Sequence, residues 1–350
     1  QECYPEAFKL NIQYNLRNNL WQSRNKIHKT GIGIYDQTIA DSHFDLFSTT
    51  ISIDELFIQP NYKIIKFSNI AELQVMTKTK DVVFDALKIL ERLKFLLILG
   101  SFGTGKTILT KKIQKQIIEK GLHTLFFQCS DVSLIEDYSK FYNLITALKP
   151  NSGPLYCFFD GYDELNLLGK DKLEIIGLFL KNLIKLSKVP DIFIVLNSRN
   201  IHKKEEEIFF SISLQFDELR KEKIEYLVLE EYSNEQISDY LDAYSNAMAK
   251  RKKEQRLHLH DIKKLHKNLK TACSNPLFLY CLESAFYEKG IKKISELYEI
   301  YESFVDRTIF GKFSDDKNPD NPAIKEISQK YKFFLRKLAS EILIRNNKME

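Results

Sequence analysis

Gly100-Ser101-Phe102-Gly103-Thr104-Gly105-Lys106-Thr107 decides the fold of this chain. The stretch fits G-x-x-x-x-G-K-[ST], the phosphate-binding P-loop pattern. An apolar run, Phe95-Leu96-Leu97-Ile98-Leu99, precedes it and predicts a buried strand. Ile108, Leu109, Ile113, Ile117 and Ile118 follow it at helical spacing. In that order, backbone N–H groups can curl around a phosphate while a helix N-terminus faces it. Lys106 would reach the outer phosphate oxygens, and the Thr107 hydroxyl would hold Mg²⁺. The bland alternative is a glycine-rich turn without a ligand, and the flanking strand and helix weigh against it.

Downstream, apolar runs of strand length alternate with helical patterns. Strands are expected at 123–128, 155–159, 192–196 and 224–229, and helices at 81–93, 134–148 and 173–186. Such alternation predicts an α/β fold, a parallel sheet with helices on both faces. The run Leu155-Tyr156-Cys157-Phe158-Phe159 ends in Asp160-Gly161-Tyr162-Asp163-Glu164. A hydrophobic strand that delivers a carboxylate at its C-terminal end has the Walker B form, at the edge where open α/β sheets bind ligands. Asp160 would join the Mg²⁺ shell, directly or through water. Asp163 or Glu164 could orient and polarise a water against a γ-phosphate. One strand and one helix lie between the two motifs, which suggests the P-loop class in which an additional strand separates the two Walker strands. Arg199 ends the run Ile192-Phe193-Ile194-Val195-Leu196-Asn197-Ser198. A cation or amide there would face the γ-phosphate and sense hydrolysis; the plainer reading is a solvated arginine after a strand.

Residues 1 to about 75 read as mixed, with an extended stretch from Ile51 to Pro60. From Ser233 onward the pattern is helical. Ser233-Asn234-Glu235-Gln236 has the capping-box form, and helices are expected at about 254–271, 276–289, 293–310 and 324–344. The composition, 44% hydrophobic and 28% charged, is that of a globular protein. The net charge of +5 does not by itself argue for nucleic acid. The run 250–270 is basic but lacks interleaved aromatics, and reads as a solvated helix face. His258, His260 and His266 lie within it at a spacing unsuited to a metal pair. The five cysteines are scattered, with no zinc spacing, and suggest a reducing, cytoplasmic setting. No signal peptide or bilayer-length apolar run is present. A start at Gln1 and a helical pattern close to the last residue suggest a piece of a longer protein.

Taken together, these motifs resemble the NACHT family of STAND nucleotide-switch ATPases, NLR-like proteins. The hydrophobic-Asp160-Gly161-x-Asp163-Glu164 motif carries most of the likeness. Asn197-Ser198-Arg199 is similar to the family's T-S-R-P sensor, with Asn197 in place of Thr and Asn200 in place of Pro. Asn275-Pro276-Leu277-Phe278-Leu279 resembles its N-P-L-L-L, whose proline packs near the adenine. Ser101-Phe102 departs from the acidic-Pro pair common inside the family's P-loop. The resemblance implies a pre-NACHT segment at 1–75, a nucleotide-binding domain at 76–232, a helical domain at 233–289, and the start of a winged-helix or second helical domain at 290–350. It also implies ATP or ADP with Mg²⁺, slow regulatory hydrolysis, and self-oligomerisation on activation. A trigger would be sensed by a C-terminal region, and an N-terminal effector would give the output, in antiphage or immune defence. Neither membrane nor nucleic acid is indicated as a partner. Two other readings are a mechanical ATPase of the AAA+ type and a nucleotide-stabilised scaffold that never hydrolyses.

Overall fold

The computed structural model describes residues 53–69, 72–76, 80–129, 142–143, 145–146, 149, 153–163, 172–199, 225–250, 257–264, 272–289, 300 and 329. Their contacts divide into two units, one from Gln59 to Glu231 and one joining residues 53–58 to the chain from Tyr232 onward. The strands of the first unit are β1 (Tyr62–Asn69), β2 (Glu72–Met76), β3 (Phe95–Gly100), β4 (His123–Gln128), β5 (Leu155–Asp160), β6 (Ile192–Arg199) and β7 (Glu225–Leu229). They form one sheet in the order β2-β1-β7-β3-β6-β5-β4.

The five strands from β7 to β4 are mutually parallel. β3 lies between β6 and β7, with Leu97 opposite both Leu196 and Tyr226. Its run Phe95–Ile98 is buried, as a strand covered on both faces requires. β6 separates β3 from β5, so the additional strand stands where the motif spacing placed it. Among the described residues, the helices α2 (Val82–Leu93), α3 (Lys106–Glu119) and α4 (Lys172–Ser187) accompany the sheet. A single helical turn, α1 (Ile53–Leu56), belongs to the second unit.

Local chemistry sets where α2 begins and ends. The Asp81 carboxylate accepts from the Val83 and Phe84 N–H groups at 2.9 and 3.1 Å, a side-chain N-cap. Lys94 adopts a left-handed conformation (φ 55°) and donates its N–H to the Leu90 carbonyl, which ends the helix one residue before β3. Two further ties fix the edge of the parallel sheet. The Tyr62 hydroxyl donates to Asp85 Oδ2 at 2.6 Å, and Arg92 pairs with the buried carboxylate of Glu225.

Two features depart from the sequence reading. Ile53–Leu56 is helical rather than extended. Asp54 and Glu55 in its first turn favour a helix N-terminus, and the turn buries Leu56 with the core of the second unit. Residues 62–69 and 72–76 are also more regular than the mixed segment expected. They form an antiparallel strand pair, β1 with β2, and β1 also pairs antiparallel with β7, Ile64 opposite Leu227. The helix expected over 134–148 lies largely outside the described residues.

The second unit also holds α5 (Asn234–Ala249), α6 (Leu259–Lys264) and α7 (Pro276–Lys289). Its core joins Ile237, Tyr240, Leu241 and Tyr244 of α5 to Phe278, Leu279 and Leu282 of α7. The capping box at Ser233 and Gln236 forms in both directions. Leu257 and His258 are not helical, so α6 starts at Leu259 rather than near residue 254. There the Asp261 carboxylate accepts from the His258 N–H at 3.1 Å and turns the chain into the helix. The helices expected at 293–310 and 324–344 fall almost wholly outside the described residues.

Candidate functional site

The loop Gly100–Thr107 links the C-terminal end of β3 to the start of α3. Gly103 and Gly105 have φ of 79° and 89°, a region that side chains disfavour. A Cβ on Gly100 would stand 2.6 Å from Thr104 Oγ1 and 3.1 Å from Leu229 Cβ, so close packing also demands glycine there. Gly105 caps α3 without a side-chain hydrogen bond. The first N–H groups of the helix therefore have no capping side chain, as an anion seat requires. Lys106 Nζ donates to the carbonyls of Gly100 and Ser101 at 2.7 and 2.9 Å, which curls it over the loop. Burial lowers its pKa to about 8, opposed by Asp163 and Asp160 and reinforced by Arg199.

Thr107 follows in the first turn of α3. Its hydroxyl lies 3.1 Å from both carboxylate oxygens of Asp160, at the C-terminal end of β5. The two Walker motifs thus converge on one hydroxyl–carboxylate pair. Burial raises the pKa of Asp160; hydrogen bonds from Asn197 and Thr107 and the charges of Lys111 and Lys106 work against that shift. Gly161 takes φ 78° and donates its N–H to Asn197 Oδ1 at 2.8 Å. That conformation is the local reason for glycine after the aspartate.

Asp163 and Arg199 also meet. Asp163 Oδ1 accepts from the Arg199 backbone N–H at 2.8 Å, and its Oδ2 lies 3.0 Å from Arg199 Nε. The Arg199 guanidinium stands over the Phe102 ring, 4.8 Å from its centroid. Glu164 lies outside the described residues. Pro276 belongs to the second unit, in the first turn of α7, where Asn275 Oδ1 accepts from the Leu277 and Phe278 N–H groups. Asn-Pro therefore has a local role as N-cap and first helical residue.

Sequence reasoning placed Asn197 in the sensor motif without its tie to Asp160, and gave Lys111 no role. Asn197 Nδ2 donates to Asp160 Oδ1 and to Thr110 Oγ1, while its Oδ1 receives the Gly161 N–H. It is buried and braces the Walker B aspartate against α3. Lys111 is buried in α3, and burial lowers its pKa to about 8 against the charge of Asp160. Thr110, Lys111 and Gln114 are polar positions on a helix face that also buries Ile113 and Ile117. Polar residues on an otherwise apolar face were the available signal.

The residues present fit a Mg²⁺–nucleotide. Positive-φ glycines, a helix start without a side-chain cap, a lysine and a hydroxyl–carboxylate pair form a cradle for phosphate and a hard cation.

Residues 75–247 match the sequence model of the family Novel STAND NTPase 3. These residues form a STAND-type P-loop NTPase domain. The matched stretch of this STAND domain spans both Walker motifs, β3 to β7 and most of α5, and ends before Pro276. It agrees with the STAND class expected from the motifs. No curated protein sequence matches the chain. Among solved structures, the STAND domain and its surroundings are similar to the Walker-type ATPase PABY2304 of Pyrococcus abyssi, at 12% identity and a TM-score of 0.43, over 65% of this chain and 71% of that one. PCH-2 of C. elegans matches at 15% identity and TM-score 0.40, over 63% of this chain and 62% of that one. The ORC2 protein of Aeropyrum pernix matches at 12% and 0.40, over 63% and 65%. This chain thus spans just under two thirds of the latter two. Among the described residues, no helix is long and apolar enough to cross a membrane.

Proposed function

We propose that this protein is a nucleotide-controlled switch of the NACHT type, which binds ADP or ATP with Mg²⁺, hydrolyses ATP slowly, and changes its self-association with the nucleotide bound. The observation that carries the reading is the contact of Thr107 with both oxygens of Asp160 beside Lys106, at the C-terminal edge of the sheet. In this reading Gly100, Ser101, Phe102, Gly103, Thr104, Gly105, Lys106 and Thr107 hold the phosphates. Thr107 and Asp160 hold the cation. Bound Mg²⁺ supplies charge neutralisation at the phosphate oxygens. Asp163 or Glu164 accepts a proton from the attacking water at its carboxylate, Arg199 responds to the outermost phosphate, and the family resemblance assigns Pro276 a place near the base.

The likeness at Asp160-Gly161-x-Asp163-Glu164 and Asn275-Pro276 supports the NACHT assignment, and through it a cytoplasmic role in antiphage or immune defence. A C-terminal sensor of the trigger and an N-terminal effector belong to the same proposal. So does the division into segments at about 75, 232 and 289.

The deciding measurement is the nucleotide carried by protein purified without added nucleotide. Tightly bound ADP is expected. Nucleotide-free protein with fast, sustained ATP turnover would overturn the switch in favour of a mechanical ATPase, and ATP persisting unhydrolysed would favour a scaffold. Lys106→Ala is expected to lose nucleotide binding by a hundredfold or more in titration calorimetry; unchanged affinity would sink the assignment of the loop. Asp163→Asn or Glu164→Gln is expected to slow hydrolysis without loss of binding, and unchanged rates in both would show that another group positions the water.

A further inference from the structure

Phe102 is the loop residue that departs most visibly from the family pattern, and it is the one that touches Arg199. Phe102 is 58% exposed, so core packing does not explain a large aromatic at this position. Asp163 is nearly buried, at 8% side-chain exposure, whereas Arg199 is 45% exposed. Asp163 engages both the backbone N–H and Nε of Arg199. Among the described residues, the two Nη groups have no hydrogen-bond partner. One face of the guanidinium thus rests on Phe102, one edge is held by Asp163, and the remaining donors are open. Lys106 lies close enough to Asp163, Arg199 and Asp160 for its charge to respond to all three. The arginine therefore stands in the same charge cluster as the phosphate-binding lysine.

We infer that Phe102 and Asp163 form a resting cradle for the Arg199 guanidinium, and that this cradle competes with the outermost phosphate and so sets how strongly the site prefers ATP to ADP. The inference rests on the nucleotide-switch reading of the same site. Phe102 is a positioning residue that acts through Arg199. Asp163 holds Arg199 through both oxygens of its carboxylate, so the arginine and the carboxylate rest as a pair. ADP lacks the phosphate that draws the guanidinium away, so the cradle is undisturbed with ADP and must be vacated with ATP. A ligand that binds one arrangement better than the other shifts the balance by that difference alone.

The test is titration calorimetry of the full chain with Mg²⁺-ADP and with Mg²⁺ and a β,γ-imido analogue of ATP, which reads binding rather than turnover. An exposed cation–π contact supports about a two- to fivefold effect. Phe102→Ala is expected to raise the preference for the ATP analogue over ADP by that factor, Phe102→Tyr to leave it at the wild-type value, and Asp163→Asn to raise it. In an Arg199→Ala background the effect of Phe102→Ala should vanish, because the two residues act as one unit. An equal effect of Phe102→Ala with and without Arg199, or no effect at all, overturns the inference. Wild-type protein that binds neither nucleotide overturns the switch reading and this inference together. Binding that Lys106→Ala abolishes, with a preference indifferent to Phe102, overturns only the inference.

Discussion

Lys106 is held by two carbonyls of its own loop and is buried enough for its pKa to fall to about 8. A phosphate at the loop favours the charged amine, so binding draws a proton onto Lys106 wherever the free site has lost it. Nucleotide affinity is therefore expected to be steady below pH 8 and to fall above it, approaching tenfold per pH unit for one proton taken up. Titrations at pH 7, 8 and 9 check this, and a flat profile would show that Lys106 keeps its proton in the free protein. At this scale the sequence was legible where residue type and spacing carry the chemistry: Gly100 to Thr107 and Asp160. It was not legible at Asn197. One asparagine binding Asp160, Thr110 and the Gly161 N–H joins β6, β5 and α3, which are distant in the chain.

The helices divide by how local their causes are. Asp81 at the start of α2, Ser233 with Gln236 at the start of α5, and Asn275 with Pro276 at the start of α7 are all short-range caps. The spacing read from the sequence gave α7 its full extent and α2 to within a residue. The single turn Ile53–Leu56 escaped because one turn shows no periodicity, and it is held by burial of Leu56 against the helical core. The strand pair β1–β2 escaped because Ile64 and Ile65 are adjacent and blur the alternation of a strand; pairing with β7 supplies its order. Within the helical unit, α7 carries a group that the helical pattern alone does not explain. Glu283 is fully buried, and among the described residues neither of its carboxylate oxygens nor the Tyr240 hydroxyl has a hydrogen-bond partner. Burial raises the pKa of Glu283 well above the usual carboxylate range, so the folded unit keeps a proton that the unfolded chain releases. The associated stability is fully present below about pH 4.5 and is lost as pH rises through the folded value. Glu283→Gln is expected to raise the melting temperature at pH 7 and to flatten its decline between pH 5 and 7. A variant with an unchanged profile would mean that Glu283 finds a partner in solution.

For the whole molecule, the proposed switch is a statement about assembly. Chain loaded with ADP is expected to remain monomeric by mass photometry. Chain loaded with the imido analogue of ATP is expected to form larger species when whatever restrains it is removed, and Lys106→Ala is expected to form none. Identical mass distributions under every nucleotide would remove oligomerisation from the proposal and leave the ATPase reading standing.

The sequence by itself determined the loop, the strand before it, the helix after it and the strand that delivers Asp160, because each depends on residue type and spacing over a few turns of chain. It also implied a strand between the two Walker strands, since one strand and one helix separate the motifs. Only the tertiary structure decided which strand fills that place, the antiparallel edge on β7, the brace of Asn197 on Asp160, and the seat of Arg199 between Asp163 and Phe102. Each of these joins residues tens of positions apart or more, and such contacts follow from how the sheet orders its strands rather than from any local preference.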